Sequence, residues 1–162
     1  MQSNIRTKSR PSSKRCEVKI LGWLTWIAPL VVTLVAAVAF LPVLWNDFVD
    51  WDDYENLTSN EHYRGLGWSQ LHWMFTTFHM GPYQPLSWMT YGLDYLLWGM
   101  NPAGYHLTSL VFHGANAIFF YFISRRLLAI SLPTSIDDAD WKRTVGATFA
   151  ALVFAVHPLR VE

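Results

Sequence analysis

A chain of 162 residues is about one domain's worth. Twelve basic against twelve acidic residues, with 52% hydrophobic and 16% aromatic content, exclude a disordered tail and a nucleic-acid-binding surface. The single cysteine, Cys16, excludes an internal disulfide, a zinc finger and a thiol redox pair. Charge is segregated along the chain. Residues 1–19 carry six bases (Arg6, Lys8, Arg10, Lys14, Arg15, Lys19) and one acid, Glu17, whereas residues 45–104 carry seven acids and one base, Arg64.

Behind the basic head, 1–19, residues 20–44 hold no charge, and 25 residues exceed the roughly 20 that a helix needs to cross a bilayer. The stretch predicts a first transmembrane helix, with Trp23, Trp26 and Trp45 as interfacial anchors. A cleaved signal peptide is the competing reading, because Ala37-Val38-Ala39 forms an A-x-A pattern. The tryptophans, and an apolar run that continues past that point to Leu44, favour the membrane helix.

Residues 45–102 form an acidic and aromatic loop holding six of the nine tryptophans, a content no flexible tether needs. Trp68, Leu71, Phe75 and Phe78 recur at helical spacing, as do Leu86, Thr90, Leu93 and Leu97, which predicts two amphipathic helices lying in the membrane interface. Gly81-Pro82 and Pro85 separate them. Asn101 as a cap and Pro102 in the first turn then open a second transmembrane helix, 103–124, closed by Arg125 and Arg126. His106, His113 and Asn116 on it predict a polar stripe facing inward. A cytoplasmic loop, 125–143, leads to a shorter third span, 144–159. By the positive-inside rule the basic head and the Arg125-Arg126 pair share the cytoplasmic side, which leaves 45–102 external. The fold class expected is an all-α polytopic membrane protein with three transmembrane helices, plus interfacial amphipathic helices in the first external loop.

The densest chemical signal is Asn46-Asp47-Phe48-Val49-Asp50-Trp51-Asp52-Asp53-Tyr54-Glu55-Asn56. Its acids alternate with aromatic residues, and carboxylates beside apolar surface hold a proton more tightly, as a general acid or base near neutral pH must. The plain alternative is a solvated acidic stretch. Arg160, at the end of the third span, suits a phosphate, which a guanidinium grips with two parallel hydrogen bonds. His62, His72 and His79 show no metal-ligand spacing, so no metal site is expected from them. A divalent cation held by the aspartates stays open.

As a set, the motifs Phe48-Val49-Asp50-Trp51-Asp52-Asp53, Tyr83-Gln84-Pro85-Leu86-Ser87-Trp88, Leu93-Asp94-Tyr95, Trp98-Gly99-Met100-Asn101-Pro102-Ala103-Gly104-Tyr105-His106-Leu107-Thr108 and His157-Pro158-Leu159-Arg160-Val161-Glu162 resemble a known group. They are similar to the amino-terminal part of bacterial polytopic membrane proteins with tetratricopeptide repeats, relatives of the transmembrane O-mannosyltransferases that carry such repeats. The resemblance implies a glycosyltransferase of the C superfamily in the bacterial inner membrane. Its active site would lie on the outer face, its donor would be a polyprenyl-phosphate sugar, and its acceptor would be a protein or glycan. Carried over, the family's acidic pair falls on Asp52 and Asp53, the catalytic candidates, and its His-Pro motif on His157-Pro158 with Glu162; Asp50, Trp51 and Arg160 join His157 and Glu162 as substrate-binding candidates from the residues themselves. It also implies that the 162 residues are a fragment of a larger multi-span fold, inactive alone. Two alternatives from other classes remain: a non-catalytic membrane interaction module, and a transporter segment using His106, His113 and the carboxylates as a proton path.

Overall fold

The computed structural model describes residues 12–131 and 136–157, with side chains over 22–131 and 140–157. Among the described residues all regular structure is helical: α1 (Ser12–Phe40), α2 (Trp68–Thr76), α3 (Pro85–Trp98), α4 (Pro102–Ser131) and α5 (Ile136–Val156). A 3-10 turn, Leu41–Trp45, and a π turn, Tyr54–Thr58, lie between α1 and α2. Two stretches, Gly22–Trp45 with 24 residues and Pro102–Ser131 with 30, are long and apolar enough to cross a membrane. With their apolar surfaces turned outward, they suggest a membrane protein. The α5 helix begins with charged turns, and its uncharged part starts only at Thr144.

α4 opens as its sequence dictates, with Pro102 in the first turn and the Ala103 N–H donating to Asn101 Oδ1 at 3.2 Å. It does not stop at Arg125 and Arg126 but continues to Ser131. Charge can end an apolar span without ending a helix, because arginine is a good helix former. Arg125 forms an ion pair with Asp140 of α5.

The chain packs as two units, one formed by Met1–Val38 with His113–Glu162 and the other by Ala39–Phe112. The first is a helical bundle with a core of small side chains. α1 buries Thr25, Pro29, Val32 and Ala36, α4 buries Gly114, Ala117 and Tyr121, and α5 buries Thr144, Ala147, Ala151 and Ala155. Such residues let helix backbones approach closely. A Cβ on Gly114 would come within 2.9 Å of Thr33 Cγ2. Pro29 supplies no N–H to the ladder, and the Thr33 hydroxyl donates to the Pro29 carbonyl at 2.9 Å. His113 Nε2 donates to the Ala155 carbonyl at 2.8 Å and ties α4 to α5. The inward stripe expected on α4 is only partly realised, because Asn116 is exposed.

The second unit has an aromatic core in which Tyr63, Met74 and Trp88 are fully buried, with Leu57 and Tyr105 nearly so. α2 and α3 pack on each other and leave most of the two apolar stripes on the outside. Met74 of α2 and Trp88, Gly92 and Asp94 of α3 are inside. Trp68, Phe75 and Phe78, and likewise Leu86, Leu93 and Leu97, are between 46% and 83% exposed. Phe78 also lies beyond the end of α2 at Thr76. An exposed apolar stripe of this kind suits the membrane interface that the spacing pointed to. Gly92 decides the approach of α3: a Cβ there would sit 2.7 Å from the Gly65 carbonyl and 2.9 Å from Met74 Cε.

Candidate functional site

The acidic segment follows the 3-10 turn and enters a short helical stretch in which Asp52 and Asp53 precede the π turn Tyr54–Thr58. Asp53 is half-buried, and its Oδ2 accepts the Val49 N–H at 3.0 Å. That bond closes the loop around Asp50 and Trp51, both of which face outward, Trp51 at 80% exposure. Asp52 is exposed.

The π turn is tied down from several sides. Within it, the Ser59 N–H donates to the Tyr54 carbonyl at 2.8 Å. His79 Nε2 donates to the Glu55 carbonyl at 3.1 Å, and the Tyr63 hydroxyl donates to the Leu57 carbonyl at 3.3 Å. Arg64, the one base in this acidic region, sends Nη2 to the Thr58 carbonyl at 2.8 Å and Nη1 to Glu61 at 3.2 Å. Its guanidinium lies 5.8 Å from the Tyr95 ring centroid. An acidic turn whose backbone carbonyls accept hydrogen bonds from His79, Tyr63 and Arg64 is preorganised, as a positioned general base requires.

Beside this turn lies an open cleft of about 310 Å³, lined by Asp47, Phe48, Val49, Asp50, Tyr54, Thr58 and Pro102. Two acidic residues and two aromatic residues in its lining are groups with which a hydroxyl-rich ligand can bond and stack. The acids lining it are Asp47 and Asp50, whereas Asp52 and Asp53 stand on the adjoining turn. His157 follows the last residue of α5 and belongs to the other unit, while Arg160 and Glu162 lie outside the described residues. Among the described residues no three His, Cys, Asp or Glu side chains are grouped to hold a metal ion.

The sequence placed the burial of carboxylates at the acidic segment, and the structure places it at Asp94. That residue is 2% exposed, on the inner face of α3, and the Thr108 hydroxyl of α4 bonds its Oδ1 at 2.6 Å. Burial pushes the Asp94 carboxyl above the ordinary carboxylate range, a lift that the bond to Thr108 partly offsets. Burial likewise raises the Tyr63 phenol. Tyr91 is raised by burial first and then by the negative charges of Asp53 and Asp94, which places its phenol in the field of both acids.

Comparison with known proteins bears on what this turn is for. Protein O-mannosyl-transferase Tmtc3 of Drosophila melanogaster is 35% identical over 89 residues, covering 49% of this chain. Protein O-mannosyl-transferase TMTC4 of Homo sapiens is 30% identical over 145 residues, covering 83% of it. Protein O-mannosyl-transferase TMTC2 of Mus musculus is 28% identical over 144 residues, covering 84%. The chain is similar to protein O-mannosyl-transferases. It spans 9%, 19% and 16% of the lengths of these three relatives. The two longer matches are broad enough to take in both the acidic turn and α3 wherever they start. No family model and no solved structure matches the chain.

Several residues of this arrangement escape a reading of the sequence. Asp94 looks like one more loop acid, and only its neighbours Tyr91 and Tyr95 at helical spacing hint that its face of α3 is the inner one. Arg64 carried a clearer signal, because a lone base among seven acids must find a partner. That it would find the Thr58 carbonyl as well as Glu61 depends on the π turn, which has no sequence signature.

Proposed function

We propose that this chain is part of an integral membrane glycosyltransferase that moves a sugar from a polyprenyl-phosphate donor to a hydroxyl of an external acceptor, a protein. The observation that carries the reading is the similarity to human protein O-mannosyl-transferase TMTC4 over 83% of the chain, acidic turn included. The geometry of the turn supports it. Asp53 takes the proton from the acceptor hydroxyl, and the freed oxygen forms a bond to the sugar's anomeric carbon. The bond from that carbon to the lipid phosphate breaks, and its electron pair leaves with the phosphate. The departing phosphate needs no proton, so one base suffices. Positive charge developing on the sugar ring, as in glycoside cleavage, is steadied by the second carboxylate, Asp52. Asp50, which lines the cleft, and Trp51 beside it in sequence bind the sugar or the acceptor together with Glu162, and Arg160 or His157 serves the phosphate.

In this reading the basic head and the Arg125-Arg126 pair lie on the cytoplasmic side and the acidic turn on the external side, by the positive-inside rule. The exposed stripes Trp68, Phe75 and Phe78, and Leu86, Leu93 and Leu97, rest in the headgroup region, where a lipid-linked donor presents its sugar. The same stripes favour one rival, a docking module without catalysis.

The full-length protein in membranes, given radiolabelled polyprenyl-phosphate mannose, separates the two. The enzyme retains the donor and labels acceptor protein, and Asp53→Asn lowers transfer at least about 100-fold at unchanged expression, the scale of a lost general base. Unchanged turnover in Asp53→Asn rejects the assignment of the base. Absence of donor retention rejects the enzyme.

A further inference from the structure

The Asp94 carboxyl has an unusual setting for an acid that touches no solvent. It is 2% exposed, its partner at 2.6 Å is a neutral hydroxyl, and that hydroxyl belongs to a different helix, α4. A buried carboxylate without a cation is costly, whereas a carboxyl sharing a hydrogen bond with a hydroxyl is not. On α4, one turn before Thr108, stands Tyr105. Its hydroxyl lies 3.1 Å from that of Tyr63, which donates to the Leu57 carbonyl inside the π turn. The Tyr105 ring meets Phe48 edge-on, 5.4 Å between centroids, and Phe48 adjoins Val49, whose N–H holds Asp53. Two short routes therefore run from the Asp94–Thr108 bond to the acidic turn, one through the Tyr105–Tyr63 hydroxyls to its far end and one through Phe48 to its near end.

We infer that Asp94 and Thr108 are positioning residues that pin α3 to the head of α4 and thereby set the placement of the Asp52 and Asp53 turn. Asp94 acts as a hydrogen-bonding group and not as a charge, and it does not touch substrate. Its role in catalysis rests on the glycosyltransferase reading above, while its role in holding the turn does not. Asparagine can replace it, because an amide keeps the shape and a bond to Thr108. Leucine cannot, and neither can valine at position 108.

The test uses the full-length protein in lipid nanodiscs with Asp94→Asn, Asp94→Leu, Thr108→Val and the double variant Asp94→Leu/Thr108→Val. Hydrogen exchange at the Val49 and Ser59 amides reports the turn. Asp94→Asn stays within about two-fold of the parent, Thr108→Val and Asp94→Leu each speed exchange at least about five-fold, and the double variant is no faster than the faster single one. With polyprenyl-phosphate mannose as probe, kcat falls in the same order while the donor KM holds. If Asp94→Leu does not fold, the near-isosteric Thr108→Val decides alone. Unchanged exchange in Thr108→Val overturns the pin, and so does an Asp94→Asn variant as impaired as Asp94→Leu, since the charge would then be what matters. Absence of transfer by the parent protein overturns the glycosyltransferase reading and leaves the exchange result to judge the pin.

Discussion

The helical bundle and the Ala39–Phe112 unit bury their helix faces with opposite kinds of side chain. In the bundle, Ala147, Ala151 and Ala155 stack along one face of α5 with no exposed surface, against Val32 and Ala36 of α1 and Ala117 and Tyr121 of α4. Such a face contributes little apolar area, and its attraction is the dispersion of closely approaching backbones. The second unit is built around Trp88, Tyr63, Met74 and Tyr105, and aromatic rings meet in it at centroid distances such as 5.1 Å for Trp73 and Trp88. Large rings bury much area per residue and leave hydroxyls over for bonding. The comparison teaches that the aromatic unit supplies hydroxyl and ring N–H groups that hold the acidic turn in place. The bundle has the smooth, outward-facing apolar residues, such as Phe149 and Val153 of α5, that suit lipid.

Three substitutions break or sharpen this contrast. The largest effect is expected at Trp88, fully buried at the centre of the aromatic core. Trp88→Ala removes about 3–5 kcal/mol, and hydrogen exchange should show α2 and α3 losing protection while α5 keeps it. Equal loss in both units would mean that they unfold as one. Next comes Ala151→Leu in the bundle, where a larger side chain has no room. It costs about 1–3 kcal/mol by overpacking, read as a lower midpoint on heating in detergent, with the aromatic unit's protection unchanged. A neutral result would show that α5 is free to shift.

The third and smallest effect depends on pH and concerns Asp94. Because burial raises its folded-state pKa, the folded chain holds this proton more tightly than the unfolded chain does. The stability that this proton contributes is complete below the ordinary carboxylate value of about 4. It is lost as pH rises through the raised folded value. The stability of the parent relative to Asp94→Asn should therefore fall with rising pH across that window and level off above it, in denaturant titrations repeated at each pH. Parallel curves for the two proteins would show that the carboxyl is not buried in solution.

Some of the site could be read from residues alone, for identifiable reasons. Asn101 and Pro102 mark a helix start because capping is a local matter, and the structure shows the cap bond to Ala103. The uncharged runs behind the basic head and after Pro102 correspond to helices long enough for a bilayer, because span length needs only counting. The acidic segment was visible as a cluster, but its internal order was not. That Asp53 turns back to the Val49 N–H while Asp50 and Trp51 point outward depends on backbone turns held by distant residues such as His79 and Tyr63. Sequence position also could not distinguish Asp94 from the exposed acids, since burial is a property of the neighbours and not of the residue.

Composition, charge order and local capping thus determined by themselves that this chain is helical, that two of its stretches suit a membrane, and that seven of its twelve acids gather in one aromatic-rich region. Tertiary structure decided which faces of α2 and α3 turn inward, which acid loses its water, and how the acidic turn is held. The physical reason is range. Span length and capping are settled within a few residues along the chain. The inward face of α3 is chosen by Gly65, Met74 and Thr108, which reach it only after the chain has folded back on itself.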